Sequence, residues 1–359
     1  MSSDIGSTRQ QLIDKIVGLS MTNIFVMELN KLIQEGGKRN EQGDAIFLCL
    51  SARKMRTIPA EIGQLTALAE LRVSYSPLEI IPAEIGQLTN LTELHVTHNP
   101  LQTLPAEIGQ LTALTKLDVS FNRLQALPPE IGQLTNLTEL DCSYNLIQFL
   151  PPEIGQLRAL TALHIWGHDL EALPAEIGRL TNLTKLYVSK NELRTLPVEI
   201  GQLTSLTELF VSDSRLQTLP AEIGRLTNLT ILGVQWNRLQ TLPAEIGQLS
   251  ALTELCLENN QLQELPAEIG QLANLTKLYV SRNQLHTLPP IVPCCRIIGL
   301  DEKLAKLSHE RWNKRAKIVS SYAVCWTRQR KAGRRDRLIG LPRMVTHHLL
   351  ELLFGGYNE

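Results

Sequence analysis

Histidine and aspartate side chains that could bind a metal ion or transfer a proton come close together in one part of the sequence. His95 and His98 are three residues apart, and Asp118 follows His95 by 23 residues. Imidazole and carboxylate groups are common metal ligands and general acid–base catalysts. No larger set of ligands surrounds them, and the adjacent pair His347 and His348 is equally isolated. We therefore predict neither a metal site nor a catalytic site at these residues.

Other chemistry is equally poorly supported. No G-x-x-x-x-G-K-[ST] or G-x-G-x-x-G phosphate loop occurs. Glutamates such as Glu107 and Glu130 recur too regularly for a single acid–base pair, and this indicates a solvated ridge. The chain has 35 basic and 36 acidic residues, which excludes a wholly basic nucleic-acid binder. The sequence contains no run of 18 apolar residues, so no membrane-spanning helix is predicted. We expect no enzyme activity, no cofactor and no small-molecule substrate.

The regular glutamates belong to an internal repeat. Proline recurs every 23 residues from Pro59 to Pro289. The unit reads L-x-x-L-x-L/V-x-x-N-x-L-x-x-L-P-x-E-I-G-Q-L-x, and eleven copies without insertions cover residues 45–290. Such a fixed period indicates a stacked repeat architecture, in which no single copy can bury its apolar face alone.

These residues resemble the leucine-rich repeat family. The Leu-Pro-Ala-Glu-Ile-Gly-Gln-Leu segment is similar to the subclass found in Ras-binding scaffold proteins and in many bacterial leucine-rich repeat proteins. The resemblance covers the repeats only. It implies an α/β solenoid, a horseshoe with a concave parallel β-sheet and short helical or 3₁₀ convex turns, which usually binds proteins.

The first half of each repeat alternates as a half-buried strand does. In the third copy, Leu94 and Val96 should point inward, and Glu93, His95 and Thr97 outward. In the second half, Glu-Ile-Gly-Gln-Leu fits one helical or 3₁₀ turn that glycine would close.

Asparagine occupies position 9 in most copies, where its amide can bond backbone groups of the turning chain. Seven copies keep it: Asn99, Asn122, Asn145, Asn191, Asn237, Asn260 and Asn283. We expect local looseness where it is replaced: Arg53, Ser76, His168 and Ser214.

Variation between the copies collects at strand positions 3, 5, 7 and 8, where nine of the sixteen aromatic residues stand. Exposed aromatics with scattered charges are typical of a protein-binding surface, although β propensity alone also favours aromatics in strands. One of the nine is Phe47. The other eight are the predicted binding surface: Tyr75, Phe121, Tyr144, Trp166, Tyr187, Phe210, Trp236 and Tyr279.

Both ends of a solenoid need caps. Helical spacing of apolar residues predicts an N-terminal helical cap in 1–44, and 291–359 reads as a basic cap or tail with helices over 301–330 and 342–354. This tail holds 14 basic and 6 acidic residues. The basic run from Arg328 to Arg337 could contact nucleic acid or an acidic membrane, but a solvated loop between capping helices is the simpler interpretation.

Six cysteines in 359 residues, without an apolar secretory signal, predict reduced thiols in the cytoplasm. Cys142 replaces an inward valine and should be a core residue. Cys325 resembles a ligase nucleophile only remotely, because the 69 residues after the repeats are too few for such a domain.

We predict a non-enzymatic interaction module that holds a folded protein partner on its concave face. The alternative is a substrate-recognition adaptor or bacterial effector in ubiquitination or host signalling, delivered to a host cell if the source is an intracellular bacterium. Its C-terminal helices would recruit the machinery, since Leu341 to Leu353 loosely resembles the first helix of an F-box.

Overall fold

The computed structural model describes residues 37–289 and 295–299. The thirteen strands in these ranges form one continuous sheet. Each strand pairs with the next in the sequence, so the strand order is the chain order. The strands are β1 Gly37–Arg39, β2 Ala45–Cys49, β3 Glu70–Arg72, β4 Glu93–His95, β5 Lys116–Asp118, β6 Glu139–Asp141, β7 Ala162–His164, β8 Lys185–Tyr187, β9 Glu208–Phe210, β10 Ile231–Gly233, β11 Glu254–Cys256, β12 Lys277–Tyr279 and β13 Arg296–Ile298.

A short 3₁₀ helix lies on the opposite side of each of the first ten repeats, as predicted. The preceding proline is extended, for example Pro105 at φ −67° and ψ 150°, and so starts the turn. The helices are Ala60–Gln64, Ala83–Gln87, Ala106–Gln110, Pro129–Gln133, Pro152–Gln156, Ala175–Arg179, Val198–Gln202, Ala221–Arg225, Ala244–Gln248 and Ala267–Gln271.

The repeated glycine does not close this turn, contrary to the sequence expectation. The turn closes at the following leucine, as where the Leu157 amide donates to the Ile154 carbonyl oxygen over 3.2 Å. The glycine is instead buried against the next repeat. A Cβ on Gly155 would lie 2.6 Å from the Glu176 carbonyl oxygen. Glycine is therefore required by the close approach of neighbouring 3₁₀ turns.

The core lies between the sheet and the 3₁₀ turns, and it is aliphatic. Leu94 and Val96 are fully buried, and Cys142 takes the place of an inward valine and is also fully buried. Glu93, His95 and Thr97 are only partly buried. The predicted inward and outward alternation is thus confirmed.

Buried asparagines join neighbouring repeats. The Asn145 side-chain amide donates to Val119 O at 3.0 Å and to Cys142 O at 2.8 Å. Its Oδ1 accepts the Leu124 amide at 2.9 Å. One side chain therefore satisfies the backbone of two consecutive repeats, which is the role that the sequence predicts.

The replacements at this position keep part of the network. Ser76 is buried and accepts the Arg53 amide at 3.2 Å, and His168 Nδ1 accepts the Ile147 amide at 3.3 Å. Each of these two residues therefore keeps a bond to the preceding repeat, and the looseness expected at them stays a prediction. His168 Nε2 and Ser214 Oγ are nevertheless buried without a hydrogen-bond partner among the described residues. Burial lowers the pKa of His168 to about 4.

Both ends of the described sheet extend beyond the repeats. β1 pairs antiparallel with β2, so residues 37–39 of the predicted N-terminal cap form a strand. β13 pairs in parallel with β12, so the sheet continues one strand past residue 290. The predicted helices, the basic run from Arg328 to Arg337 and Cys325 lie outside the described residues. No helix within the described residues has the length and apolar character to cross a membrane.

Candidate protein-binding surface

The face of the sheet that points away from the core, here called the open face, carries strand positions 3 and 5. Parallel pairing places residues 23 apart directly opposite each other, as with Asp118 and Asp141 on β5 and β6. Side chains at the same repeat position therefore form rows across the sheet. The strands within the repeats, apart from β2, are only three residues long, so positions 7 and 8 lie beyond them.

Position 8 adopts a left-handed backbone in every repeat. All non-glycine residues with positive φ among the described residues stand there, with φ between 52° and 59°. Tyr75, Phe121, Tyr144 and Trp236 are among them. The expectation that these four belong to a strand face is wrong, because each strand ends at position 5. They lie along the edge of the open face where the chain turns.

Four position-8 rings stack into a column, here called the edge column. Tyr75 and His98 have ring centroids 4.3 Å apart, His98 and Phe121 4.2 Å, and Phe121 and Tyr144 4.4 Å. His98 is thus an aromatic neighbour and not a partner of His95. This role of His98 was not predicted from the sequence, although its 23-residue spacing from Tyr75 and from Phe121 is a signal for it.

A second group of rings, the face cluster, contains His164, Trp166, Tyr187 and Phe210. Tyr187 contacts the other three edge to face, at centroid distances of 4.8 Å, 6.2 Å and 5.3 Å respectively. Its hydroxyl donates to Glu208. Burial, together with this carboxylate, raises the pKa of Tyr187, so the ring stays neutral.

The edge column and the face cluster meet at Tyr144 and Trp166, whose centroids are 6.4 Å apart. Gly167 allows this contact, because a Cβ there would lie 2.8 Å from the Tyr144 ring. The two remaining predicted residues stand apart. Trp236 is 53% exposed, with the Arg282 guanidinium 5.8 Å from its ring. Tyr279 is half-buried on β12.

Charged side chains of both signs occupy most of position 3 on the open face. Lysines pair with glutamates of a neighbouring strand: Lys116 with Glu139 at 2.9 Å, Lys185 with Glu208 at 3.4 Å, and Lys277 with Glu254 at 2.9 Å. These pairs are partly exposed, so each contributes little to stability.

Position 5 holds a different arrangement. His95 Nδ1 lies 3.8 Å from Asp118 Oδ2 and His95 Nε2 lies 3.2 Å from Glu93 Oε2. The nearby Asp118 carboxylate raises the pKa of His95. Burial acts to raise the pKa of Asp118, but the contact with His95 and the hydrogen bonds from Ser120 outweigh it, and the pKa lies below its usual value.

Three side chains beside this contact could in principle offer ligand atoms to a metal ion. Ligand atoms of Glu70, Glu93 and His95 lie within 4.8 Å of one another. However, Arg72 forms an ion pair with Glu70, and both nitrogens of His95 face carboxylates. Glu70 and His95 already have these partners, so the cluster is better described as an ion-pair network. Cys49, Cys142 and Cys256 are free thiols.

Comparison with protein families and solved structures agrees with this architecture. The family model described as leucine-rich repeat region matches residues 46–144 and 140–241, and the model leucine rich repeat matches 227–285. A leucine-rich repeat protein of Leptospira interrogans is 32% identical, over 68% of this chain and 81% of that one, with a TM-score of 0.50. Comparison with curated proteins gives no match.

Two further solved structures are also similar. One is the ectodomain of the Arabidopsis thaliana receptor kinase GASSHO1/SCHENGEN3, in complex with CASPARIAN STRIP INTEGRITY FACTOR 2. It is 28% identical over 70% of this chain, with a TM-score of 0.57. The other is Drosophila Toll in its complex with Spatzle, 26% identical over 68%, with a TM-score of 0.55. The chain spans 36% and 38% of these structures.

The matched residues cover the repeats from the first strand to the last, and the strands, 3₁₀ turns and buried asparagines follow the same 23-residue period. The chain therefore belongs to the leucine-rich repeat family and folds as a horseshoe-type solenoid.

Proposed function

We propose that this protein is a non-enzymatic interaction module that binds a folded protein partner on its open face, the concave side of the solenoid. The observation that carries this proposal is the exposure of large aromatic side chains along the edge column and at Trp236. Tyr75 is 67% exposed, Trp236 53% and Phe121 43%. Buried aromatic anchors dominate the energetics of many protein interfaces.

Strand propensity does not explain these residues. Position 8 lies outside the strands and has a left-handed backbone, which bulky side chains disfavour and which asparagine, aspartate and glycine adopt more readily. Stacking offsets part of this cost in the edge column. Trp236 contacts no other aromatic ring among the described residues, so aromatic stacking does not explain it, and its exposure favours a role in binding.

The dimensions of the surface also favour a protein partner. Eleven repeat strands at about 4.8 Å spacing give a face roughly 50 Å long, which exceeds what a small ligand can cover. The GASSHO1/SCHENGEN3 ectodomain and Toll were solved in complexes with CASPARIAN STRIP INTEGRITY FACTOR 2 and Spatzle, and these complexes support protein binding as the use of this fold. Free cysteines fit the reducing cytosol, which is the compartment that we propose.

Capture with tryptophan variants tests this proposal. Partners captured by the full chain should be lost with Trp166→Ala combined with Trp236→Ala, with a binding loss of about 2 kcal/mol or more. Convex variants Glu153→Ala and Glu245→Ala should retain them. The free energy of unfolding of every variant should lie within about 1 kcal/mol of the parent value, because the altered side chains are exposed or half-buried. Binding that depends on the convex glutamates and not on the tryptophans would refute the proposed face.

A further inference from the structure

Two aspartates of like charge lie directly opposite each other near the middle of the open face. Asp118 on β5 and Asp141 on β6 are register partners, and both are half-buried. Asp118 Oδ1 accepts the Ser120 amide at 3.1 Å, and Asp141 Oδ1 accepts the Ser143 amide at 2.9 Å. These bonds fix the two carboxylates side by side, so they cannot simply swing apart to relieve their repulsion.

This pair lacks the compensation that neighbouring acids have. Glu139, Glu208 and Glu254 each have a lysine within 3.4 Å. Among residues 37–289 and 295–299, no lysine or arginine lies within 4.0 Å of Asp118 or Asp141, and Asp118 has only His95. Burial raises the pKa of Asp141 and the charge of Asp118 adds to this effect. The isolated chain therefore leaves negative charge on this surface without a fixed cation.

The face cluster begins immediately beside these carboxylates. Asp141 is the register partner of His164 on β7, and the His164 ring contacts Tyr187. Phe210 and Trp166 complete the aromatic patch. A negatively charged site thus adjoins a hydrophobic one along a single row of side chains.

We infer that the partner presents an arginine or lysine side chain to Asp118 and Asp141 and an adjacent apolar side chain to Trp166, Tyr187 and Phe210. This inference rests on the proposed function, because it names the partner chemistry of the same face. An arginine suits the site well: its guanidinium has five N–H donors for two carboxylates, and its planar group stacks on aromatic rings.

The test is selection of a phage-displayed library of random twelve-residue peptides on the full chain, in buffer that contains EDTA. Enriched peptides should contain arginine or lysine next to an aromatic or aliphatic residue. A synthetic copy of an enriched peptide should bind at least ten-fold more weakly to the Asp118→Asn, Asp141→Asn double variant, by calorimetry. Binding should also weaken in 0.5 M salt, because the contact is electrostatic.

Glu254→Gln is the matched control, since Glu254 is a carboxylate of the same face that already has a lysine partner, and it should change the affinity less than two-fold. If the double variant is destabilised, the single variant Asp141→Asn replaces it in the binding measurement. Enrichment of peptides without basic residues, no enrichment, or equal binding to the aspartate variants would each overturn the inference. Enrichment only when calcium replaces EDTA would indicate a metal ion instead and would also overturn it. The proposed function fails separately, if tryptophan changes leave capture of the folded partner intact.

Discussion

Asp118 and Asp141 face each other across β5 and β6, and each carboxylate is held by the amide of the serine two residues later. Their environments differ, since Asp118 also contacts His95 whereas Asp141 has no fixed cation among the described residues. Binding sites often keep charges that the free protein does not compensate, because the partner supplies the opposite charge. Such an uncompensated charge should also affect the free energy of unfolding, which can be measured without a partner.

Asp141→Asn should leave the protein as stable as the parent at neutral pH, or more stable. Asparagine keeps the oxygen that accepts the Ser143 amide and removes a half-buried charge. Because the pKa of Asp141 is raised in the folded state, the folded state binds this proton more tightly than the unfolded state does. The parent therefore carries a penalty above that pKa, which decreases as pH falls through it. A clear loss of stability in urea melts at pH 7 would contradict this account.

His168→Asn should stabilise the protein and reduce its sensitivity to acid. Burial lowers the pKa of His168 to about 4, so the folded state favours the neutral ring. The contribution of the neutral His168 ring to stability is fully present above pH 6.5, near the pKa of histidine in the unfolded chain. This contribution decreases by on the order of 2 to 3 kcal/mol as the pH falls toward 4.

Urea melts of parent and variant between pH 7 and pH 4 measure this difference. Asparagine should restore the donors that Asn145 and Asn191 supply to neighbouring carbonyls. The stability gap between variant and parent should widen on acidification. A constant gap over this range would show that His168 does not titrate as described.

Leu140→Ala should lower the free energy of unfolding by about 2 to 5 kcal/mol, since it leaves a cavity in the continuous core. Asn145→Ala should cost about 1 to 3 kcal/mol, because it removes the partners of buried backbone groups. Leu146 in the same repeat is 51% exposed, so Leu146→Ala is the control and should change stability by less than about 0.5 kcal/mol. Equal melts for all three variants would contradict the described packing.

Gly155→Ala should be destabilising by about 1 to 3 kcal/mol, the usual cost of overpacking. The added Cβ would lie 2.6 Å from the Glu176 carbonyl oxygen and 2.8 Å from the Glu176 Cβ, so two repeats would have to separate. Arg158→Ala, at an exposed residue just after the same turn, is the control. Denaturant melts compare the free energy of unfolding of the two variants. A Gly155→Ala protein that is more stable than the parent would refute close contact as the reason for glycine.

The sequence predicted the repeat register and the core well. A 23-residue period without insertions means that equal positions meet across the sheet, so Leu94, Val96 and Cys142 could be assigned inward from alternation alone. The bonding role of Asn145 also followed from its chemistry, since an amide both donates and accepts. The packing role of Gly155 could not be predicted from the sequence, because the close contact is with the 3₁₀ turn of the next repeat and not within its own turn.

Tertiary structure alone decided how the predicted binding residues are arranged. Alternation extended through position 8 suggested one strand face, but Tyr144 has a left-handed backbone beyond the end of β6, so its ring lies at the edge. Stacking then inserts His98 between Tyr75 and Phe121. Periodicity in the sequence therefore determined which side chains are neighbours, because the hydrophobic effect requires identical repeats to stack in register. The backbone conformation at each strand end determined where those neighbours point, because it depends on hydrogen bonds supplied by the adjacent repeat.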